Sequence, residues 1–190
     1  MALLIRSLFA LALLICGPLM AVPNTARAQR MTQDEALSLA FAGAEVSRKT
    51  SFLSAAELGR AREVAGDDVD IDVGLVTYYV ALGDNEPLGV AYFDAHRVRT
   101  LDEVLMIVLD RAGSVMRIET VSFREPPEYR APDGWLDLFA GRTTEDDLSL
   151  KGDIPNIIGA TLTSRAVSDA VRRTLALHSV VVPFATGSLP

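Results

Sequence analysis

Two short helices are predicted in the early part of the chain, each from a capping sequence followed by apolar residues at helical spacing. Segments 32–35 (Thr-Gln-Asp-Glu) and 54–57 (Ser-Ala-Ala-Glu) each place a hydroxyl residue three positions before a glutamate, as in a capping box. Apolar residues then recur at intervals of three and four. Gly66 is the residue type that often ends a helix. We therefore expect helices that begin just after Thr32 and Ser54.

The middle of the chain changes to the pattern of β-strands. Four runs rich in β-branched and aromatic residues cover positions 75–82, 88–94, 104–110 and 115–123. Turn-forming residues separate the first two runs at 83–85 and the last two at 111–114. The pattern predicts two β-hairpins that form an antiparallel sheet.

The last part of the chain predicts a short helix, a long loop and a final helix. Three prolines between positions 126 and 132 exclude a regular strand, and residues 133–139 have the pattern of a short helix carrying Trp135. The polar stretch 141–158 is long for a connection and indicates a functional loop or an ordered lid. An amphipathic helix is expected to begin near Ser164. Because strands lie between two groups of helices, the predicted fold is α+β, a single domain with helices packed on an antiparallel sheet.

Residues 1–28 have the order of a secretory signal peptide. Arg6 precedes an apolar run, and the small-x-small tripeptide 26–28 precedes Gln29. We expect cleavage after Ala28, a mature domain at 29–190, and a periplasmic or equivalent location. An uncleaved membrane anchor is the alternative.

Charge and cysteine content narrow the possible functions of the mature chain. Loss of the leader removes two arginines and no acid, so the formal net charge changes from −7 to −9. An acidic surface argues against nucleic acid as a partner. Cys16 is the only cysteine and leaves with the leader, which excludes disulfides, thiol nucleophiles and cysteine-bound metals. His96 and His178 lie far apart in the sequence, so a histidine metal site is not expected.

The segment from Gly159 to Ser164 is the main candidate for chemistry. Gly159 and Ala160 are small, Leu162 is apolar, and the other three residues, Thr161, Thr163 and Ser164, carry hydroxyls next to a helix start. Unpaired amides and the helix dipole favour an anion there, so the segment predicts a phosphate site. The alternative is that Ser164 only caps a surface helix.

The sequences GATLTSRAVSDAVR and WLDLFAG resemble the FMN-binding domain of flavinylated subunits of sodium-pumping quinone reductases and related exported redox proteins. The resemblance extends over roughly residues 32–177. It implies that the phosphate of FMN is esterified to Thr161 by a magnesium-dependent flavin transferase that uses FAD. This sequence has Pro155 where the family has an aspartate, and Ile158 where the family has serine or threonine.

Two further residues are expected near the flavin. Glu125 lies in a segment that resembles the family's Glu-Thr-Pro segment, although prolines there also suit a rigid exit from a sheet edge. Arg99 is a candidate cation for neutralising the flavin phosphate or reduced flavin, with a surface ion pair as the alternative, and Arg97 is expected in surface ion pairs. Tyr129 and Trp135 are candidates for stacking on the ring, with a place in the core as the alternative.

The resemblance implies an electron carrier between a membrane-bound redox partner and a downstream acceptor, with no catalytic side chain of its own. Two alternatives remain open. One is a sensory or partner-binding module with loosely bound or no FMN, and the other is a flavin-dependent reductase of a small oxidant.

Overall fold

A computed structural model describes residues 31–72, 74–84 and 86–184. The expected signal peptide, its cleavage site and Cys16 lie outside these residues. In the described part of the chain, no helix is both long and apolar enough to cross a membrane.

Helices and strands follow one another in an order close to that predicted. The elements are α1 (Gln33–Ala40), β1 (Glu45–Phe52), α2 (Ala55–Ala65), β2 (Leu75–Gly83), β3 (Glu86–Arg97), β4 (Asp102–Leu109), β5 (Val115–Phe123), α3 (Asp133–Leu136) and α4 (Thr161–Val181). Short 3₁₀ helices cover Pro127–Tyr129 and Asp137–Phe139.

The five strands form one antiparallel sheet in which each strand pairs with the next along the chain. Both predicted hairpins are present, β2 with β3 and β4 with β5, and the pairing of β3 with β4 joins them. The expected α+β fold, a single domain with helices on an antiparallel sheet, is confirmed.

Strand β1 is an addition that the sequence pattern did not predict. Its residues, Glu-Val-Ser-Arg-Lys-Thr-Ser-Phe, are mostly polar, and none of them is fully buried. In the described sheet β1 pairs only with β2, so it forms an edge. An edge strand buries little apolar surface, and the signal used to recognise strands is therefore weak.

Helices cover both faces of the sheet. One face packs against the long helix α4 and the short helix α3, in a core that includes Tyr92, Leu105, Ile107, Trp135, Phe139, Val167 and Val171. The other face packs against α1, through Leu37, Phe41, Ala91, Met106 and Val108. Helix α2 packs on α4 through Ala61, Ala65 and Ala176. This packing places α4 between α2 and the sheet.

The two early helices begin at the capping boxes that the sequence predicts. The side chains of Thr32 and Ser54 each accept from the backbone N–H of the glutamate three residues later, and the glutamate side chains return the bond. Gly66 follows α2 with a φ of 90°. Local sequence is therefore sufficient to set these boundaries.

The final helix begins at Thr161, earlier than the expected start near Ser164. Ala160 is the N-cap residue, and no side chain caps the first turn. Ser164 lies inside the helix, and its Oγ accepts from the backbone N–H of Ile157 at 3.0 Å. The alternative in which Ser164 only caps the helix is wrong, because its hydroxyl instead accepts a hydrogen bond from the preceding loop.

The long loop between Gly141 and Ile158 contains no helix or strand but is held at several points. Arg142 Nη1 donates to Asp146 Oδ1 at 2.7 Å and to Asp153 Oδ2 at 3.0 Å. The indole Nε1 of Trp135 donates to the carbonyl oxygen of Pro155 at 2.7 Å. These hydrogen bonds fix the conformation of the loop that precedes α4.

A network of buried charges joins α4 to the sheet. His96 lies between Asp94, at 2.8 Å, and Glu103, at 3.2 Å, and Arg173 pairs with Asp94 at 2.8 Å. Burial by itself lowers the pKa of His96, but its hydrogen bonds to Asp94 and Glu103 outweigh this and raise the pKa to about 9. The protonated imidazole therefore stabilises two carboxylates that have little access to water.

We predict that this network makes the fold sensitive to alkaline pH. Because the pKa of His96 is about 9 in the folded protein, against an ordinary value of 6.5, its contribution is complete below pH 6.5 and is lost as the pH rises through 9. The free energy of unfolding should fall by about 2 to 3 kcal/mol between pH 7 and pH 10. Denaturant unfolding at each pH measures it.

The variant His96→Gln should lack most of this alkaline loss. His178→Gln is the matched control, because burial lowers the pKa of His178 to about 4 and its titration affects only the acid side. An alkaline loss of equal size in His96→Gln and the wild type would contradict the prediction.

Candidate functional site

The first turn of α4 carries three hydroxyl side chains, and each has a different environment. Thr163 is buried, and its Oγ1 donates to the carbonyl oxygen of Tyr129 at 2.6 Å. Ser164 is buried, and its Oγ donates to a backbone carbonyl four residues earlier at 3.1 Å. Thr161 is exposed, and its Oγ1 accepts from Nδ2 of Asn156 at 3.0 Å. Of these three hydroxyls, only that of Thr161 donates its proton to no described residue.

The turn before Thr161 is open to a ligand. Gly159 has a φ of 85°, a left-handed conformation that favours glycine, and a Cβ built there would meet no atom within 4 Å. Ala160 is buried, whereas Leu162 is about half exposed. The predicted site residues 159–164 therefore include an exposed side, formed by Gly159, Thr161 and Leu162.

The backbone at this turn fits an FMN phosphate. The first amides of a helix have no partners within the helix, and no side chain caps α4. The positive end of the helix dipole lies at the same place. Since Gly159 leaves space beside these amides, an anionic phosphate has both donors and room.

Arg99 is connected to this turn through Tyr129. The guanidinium carbon of Arg99 is 5.0 Å from the centre of the Tyr129 ring, and the backbone carbonyl of Tyr129 receives the hydrogen bond from Thr163. Arg99 is exposed and forms no ion pair with a described residue. Arg97 instead pairs with Asp102 at 3.7 Å, as expected from the sequence. The structure therefore connects Arg99 to the first turn of α4 through Tyr129, and Arg99 forms no ion pair with a described residue.

Glu125 holds the turn that carries Arg99. Its Oε1 accepts from the backbone N–H groups of Arg99 at 3.2 Å, Thr100 at 2.7 Å and Leu101 at 2.8 Å. The bonds from Thr100 and Leu101 hold the pKa of Glu125 below its ordinary value. Glu125 thus remains ionised and fixes the backbone between β3 and β4.

The two positions that depart from the family pattern have different environments. Pro155 accepts the hydrogen bond from Trp135, and Ile158 is completely exposed. Trp135 itself is buried and packs edge-on against Phe139, with ring centres 5.4 Å apart, so its place is in the core. Asn156, between the two departures, is the residue that contacts Thr161. Asn156 was not among the site residues predicted from the sequence. The only sequence signal for it is its position five residues before Thr161.

In the described ranges, no group of three or more histidine, cysteine, aspartate or glutamate side chains has an arrangement that could hold a metal ion. The functional groups in the first turn of α4 are hydroxyls and backbone amides. This set suits an anionic organic cofactor bound through its phosphate.

The structure defines an α+β domain whose uncapped helix start suits a bound phosphate group. A comparison with protein families indicates which cofactor carries that group. Residues 102–176 match the family described as FMN-binding domain. The match runs from the start of β4 into α4 and includes Glu125 and all of 159–164, while Arg99 lies just before it. This part of the chain is therefore similar to FMN-binding domains, and the match indicates FMN as the cofactor. Comparisons with curated proteins and with solved structures gave no match.

We predict that Glu125→Gln loosens the turn that positions Arg99. A neutral amide is a weaker acceptor than a carboxylate for three backbone N–H groups. Hydrogen exchange of the Thr100 and Leu101 amides, followed by NMR, should become about tenfold faster. Glu128→Gln, at an exposed position in the same segment, is the matched control. Unchanged exchange in Glu125→Gln would show that the carboxylate does not hold the turn.

Proposed function

We propose that the protein is an exported electron carrier whose FMN is joined through its phosphate to Thr161. The observation that carries this proposal is the hydroxyl of Thr161, which is exposed, has a free proton, and lies at an uncapped helix start beside Gly159. Thr163 and Ser164 are buried and use their protons in bonds to backbone carbonyls. Thr161 is the hydroxyl that a modifying enzyme can reach.

Attachment at Thr161 is a phosphoryl-type transfer with no change of oxidation state. The Oγ of Thr161 forms a bond to the phosphorus of the FMN half of FAD, and the pyrophosphate P–O bond breaks, so that AMP leaves. The hydroxyl proton passes to a base of the flavin transferase, the expected partner for this step. Amides in the first turn of α4 stabilise the resulting phosphodiester anion.

When bound, the flavin accepts and donates electrons, and the protein supplies binding and electrostatics. Arg99, which lies over the ring of Tyr129, is proposed to provide a positive charge that favours the added negative charge of a reduced cofactor. We propose no catalytic side chain for this chain. Electrons would pass from a membrane-bound partner to a downstream acceptor.

A covalent link suits the location that the leader indicates. A chain cleaved after Ala28 and released into the periplasm meets little free FMN, and a cofactor held only by equilibrium binding is lost when its concentration falls below the dissociation constant. A phosphoester bond removes this dependence. The formal charge of −9 after cleavage argues against nucleic acid as a partner.

A second candidate is a sensory or partner-binding module that holds FMN without a covalent bond. The observation that favours it is the exposed Ile158 next to Gly159, at a position where the family has a hydroxyl residue. The two candidates differ in the intact mass of the purified mature chain made with and without a flavin transferase. An FMN adduct that requires the transferase supports the carrier, and absence of an adduct supports the module.

We predict that Thr161→Ala abolishes the adduct with little loss of stability, because the side chain is exposed. Ser164→Ala should keep the adduct and lower the free energy of unfolding by about 1 kcal/mol, since it loses two hydrogen bonds to the backbone. Intact mass after co-expression with a flavin transferase measures the first effect, and denaturant unfolding measures the second. An adduct that persists in Thr161→Ala and maps to Thr163 would refute the assignment.

We also predict that Arg99→Gln lowers the midpoint potential of the bound flavin, because loss of a nearby cation disfavours reduction. Redox titration followed by flavin absorbance measures the potential. Arg97→Gln is the control, since Arg97 is already paired with Asp102 and should leave the potential unchanged. Equal potentials in wild type and Arg99→Gln would place Arg99 away from the flavin.

A further inference from the structure

Asn156 is held beside Thr161 by hydrogen bonds on both sides of it. The carbonyl oxygen of Pro155 accepts from the indole of Trp135 at 2.7 Å. The N–H of Ile157 donates to Oγ of Ser164 at 3.0 Å. Since both neighbours of Asn156 are anchored, its side chain has a fixed origin, and Nδ2 donates to Thr161 Oγ1 at 3.0 Å.

This hydrogen bond determines which lone pair of Thr161 Oγ1 remains available and leaves its proton free to be removed. A hydroxyl has one proton and two lone pairs. Donation from Asn156 occupies one lone pair, and it leaves the other lone pair for bond formation and the proton for removal. The same N–H stabilises the negative charge that grows on Oγ as the proton leaves.

We infer that Asn156 is a positioning residue for covalent attachment of the cofactor: its side-chain amide orients Thr161 Oγ and stabilises it as a nucleophile. This inference rests on the proposed attachment at Thr161. It also bears on the departure at Pro155, because an amide donor stands next to the place where the family has a carboxylate. The hydrogen-bond donor that assists attachment is therefore part of the protein that receives the flavin.

Two variants separate the donor from the shape of the side chain. Asn156→Ala removes the hydrogen bond. Asn156→Asp keeps the shape but replaces the donor with a carboxylate, which accepts the proton of Thr161 and repels negative charge on Oγ. We expect attachment to slow by about tenfold or more in the alanine variant, and by at least as much in the aspartate variant.

The experiment follows intact mass over time when purified chains without cofactor are mixed with a flavin transferase, FAD and Mg²⁺. Measurement over a range of chain concentrations separates kcat from KM. We expect kcat to fall with KM for the chain unchanged, because Asn156 acts on Thr161 rather than on recognition by the transferase. Lys151→Ala, an exposed change in the same loop, is the control and should match the wild type. Thermal unfolding of each variant confirms that it is folded.

Each result supports or overturns the inference. Slow attachment in both variants, with the change in kcat, supports it. A wild-type rate in either variant, or an effect confined to KM, overturns it while the attachment at Thr161 stands. Absence of an adduct on the wild-type chain overturns the proposed attachment, and the inference falls with it.

Discussion

Packing of α4 against the sheet is the constraint on which the rest of the structure depends. Val167 and Val171 are fully buried between the helix and the sheet, and Arg173 is bound to Asp94 on β3. Because a helix is rigid over this length, fixing its middle also fixes its first turn. The bond from Thr163 to the backbone beyond β5 then ties that turn to the segment that faces Arg99.

Side chains of the same chemical type serve different purposes at this turn. Two hydroxyls are buried and hold backbone, and one is exposed with a free proton. The difference arises from helical spacing, since Thr163 and Ser164 face the core while Thr161 faces solvent. A carboxylate also acts through backbone here, as Glu125 fixes the turn of Arg99 without reaching the helix itself. This site is therefore defined by hydrogen bonds that fix the backbone around it, rather than by a set of reactive side chains.

A charged network next to the turn that carries Arg99 both stabilises the fold and fixes the position of that turn. Glu103 is fully buried, and one of its oxygens, Oε1, has no hydrogen-bond partner in the described structure. Its other oxygen faces the protonated His96, which also binds Asp94. Such a network is costly to bury and strongly destabilising to break, so it fixes how β3, β4 and α4 meet. The turn carrying Arg99 lies between the strands that this network joins.

The sequence by itself determined the elements whose signals are local. Capping boxes set the starts of α1 and α2, and apolar runs indicated four strands, whereas the phosphate site at the hydroxyl-rich turn stays a prediction. Tertiary structure alone decided the rest. Strand β1 is polar and gains its place from pairing with β2, and the start of α4 follows from the use of Ser164 by the loop. The contact of Arg99 with Tyr129 likewise depends on how separate segments pack, and the contact of Thr161 with Asn156 depends on the fold of the turn between them. No periodicity along a chain records either contact.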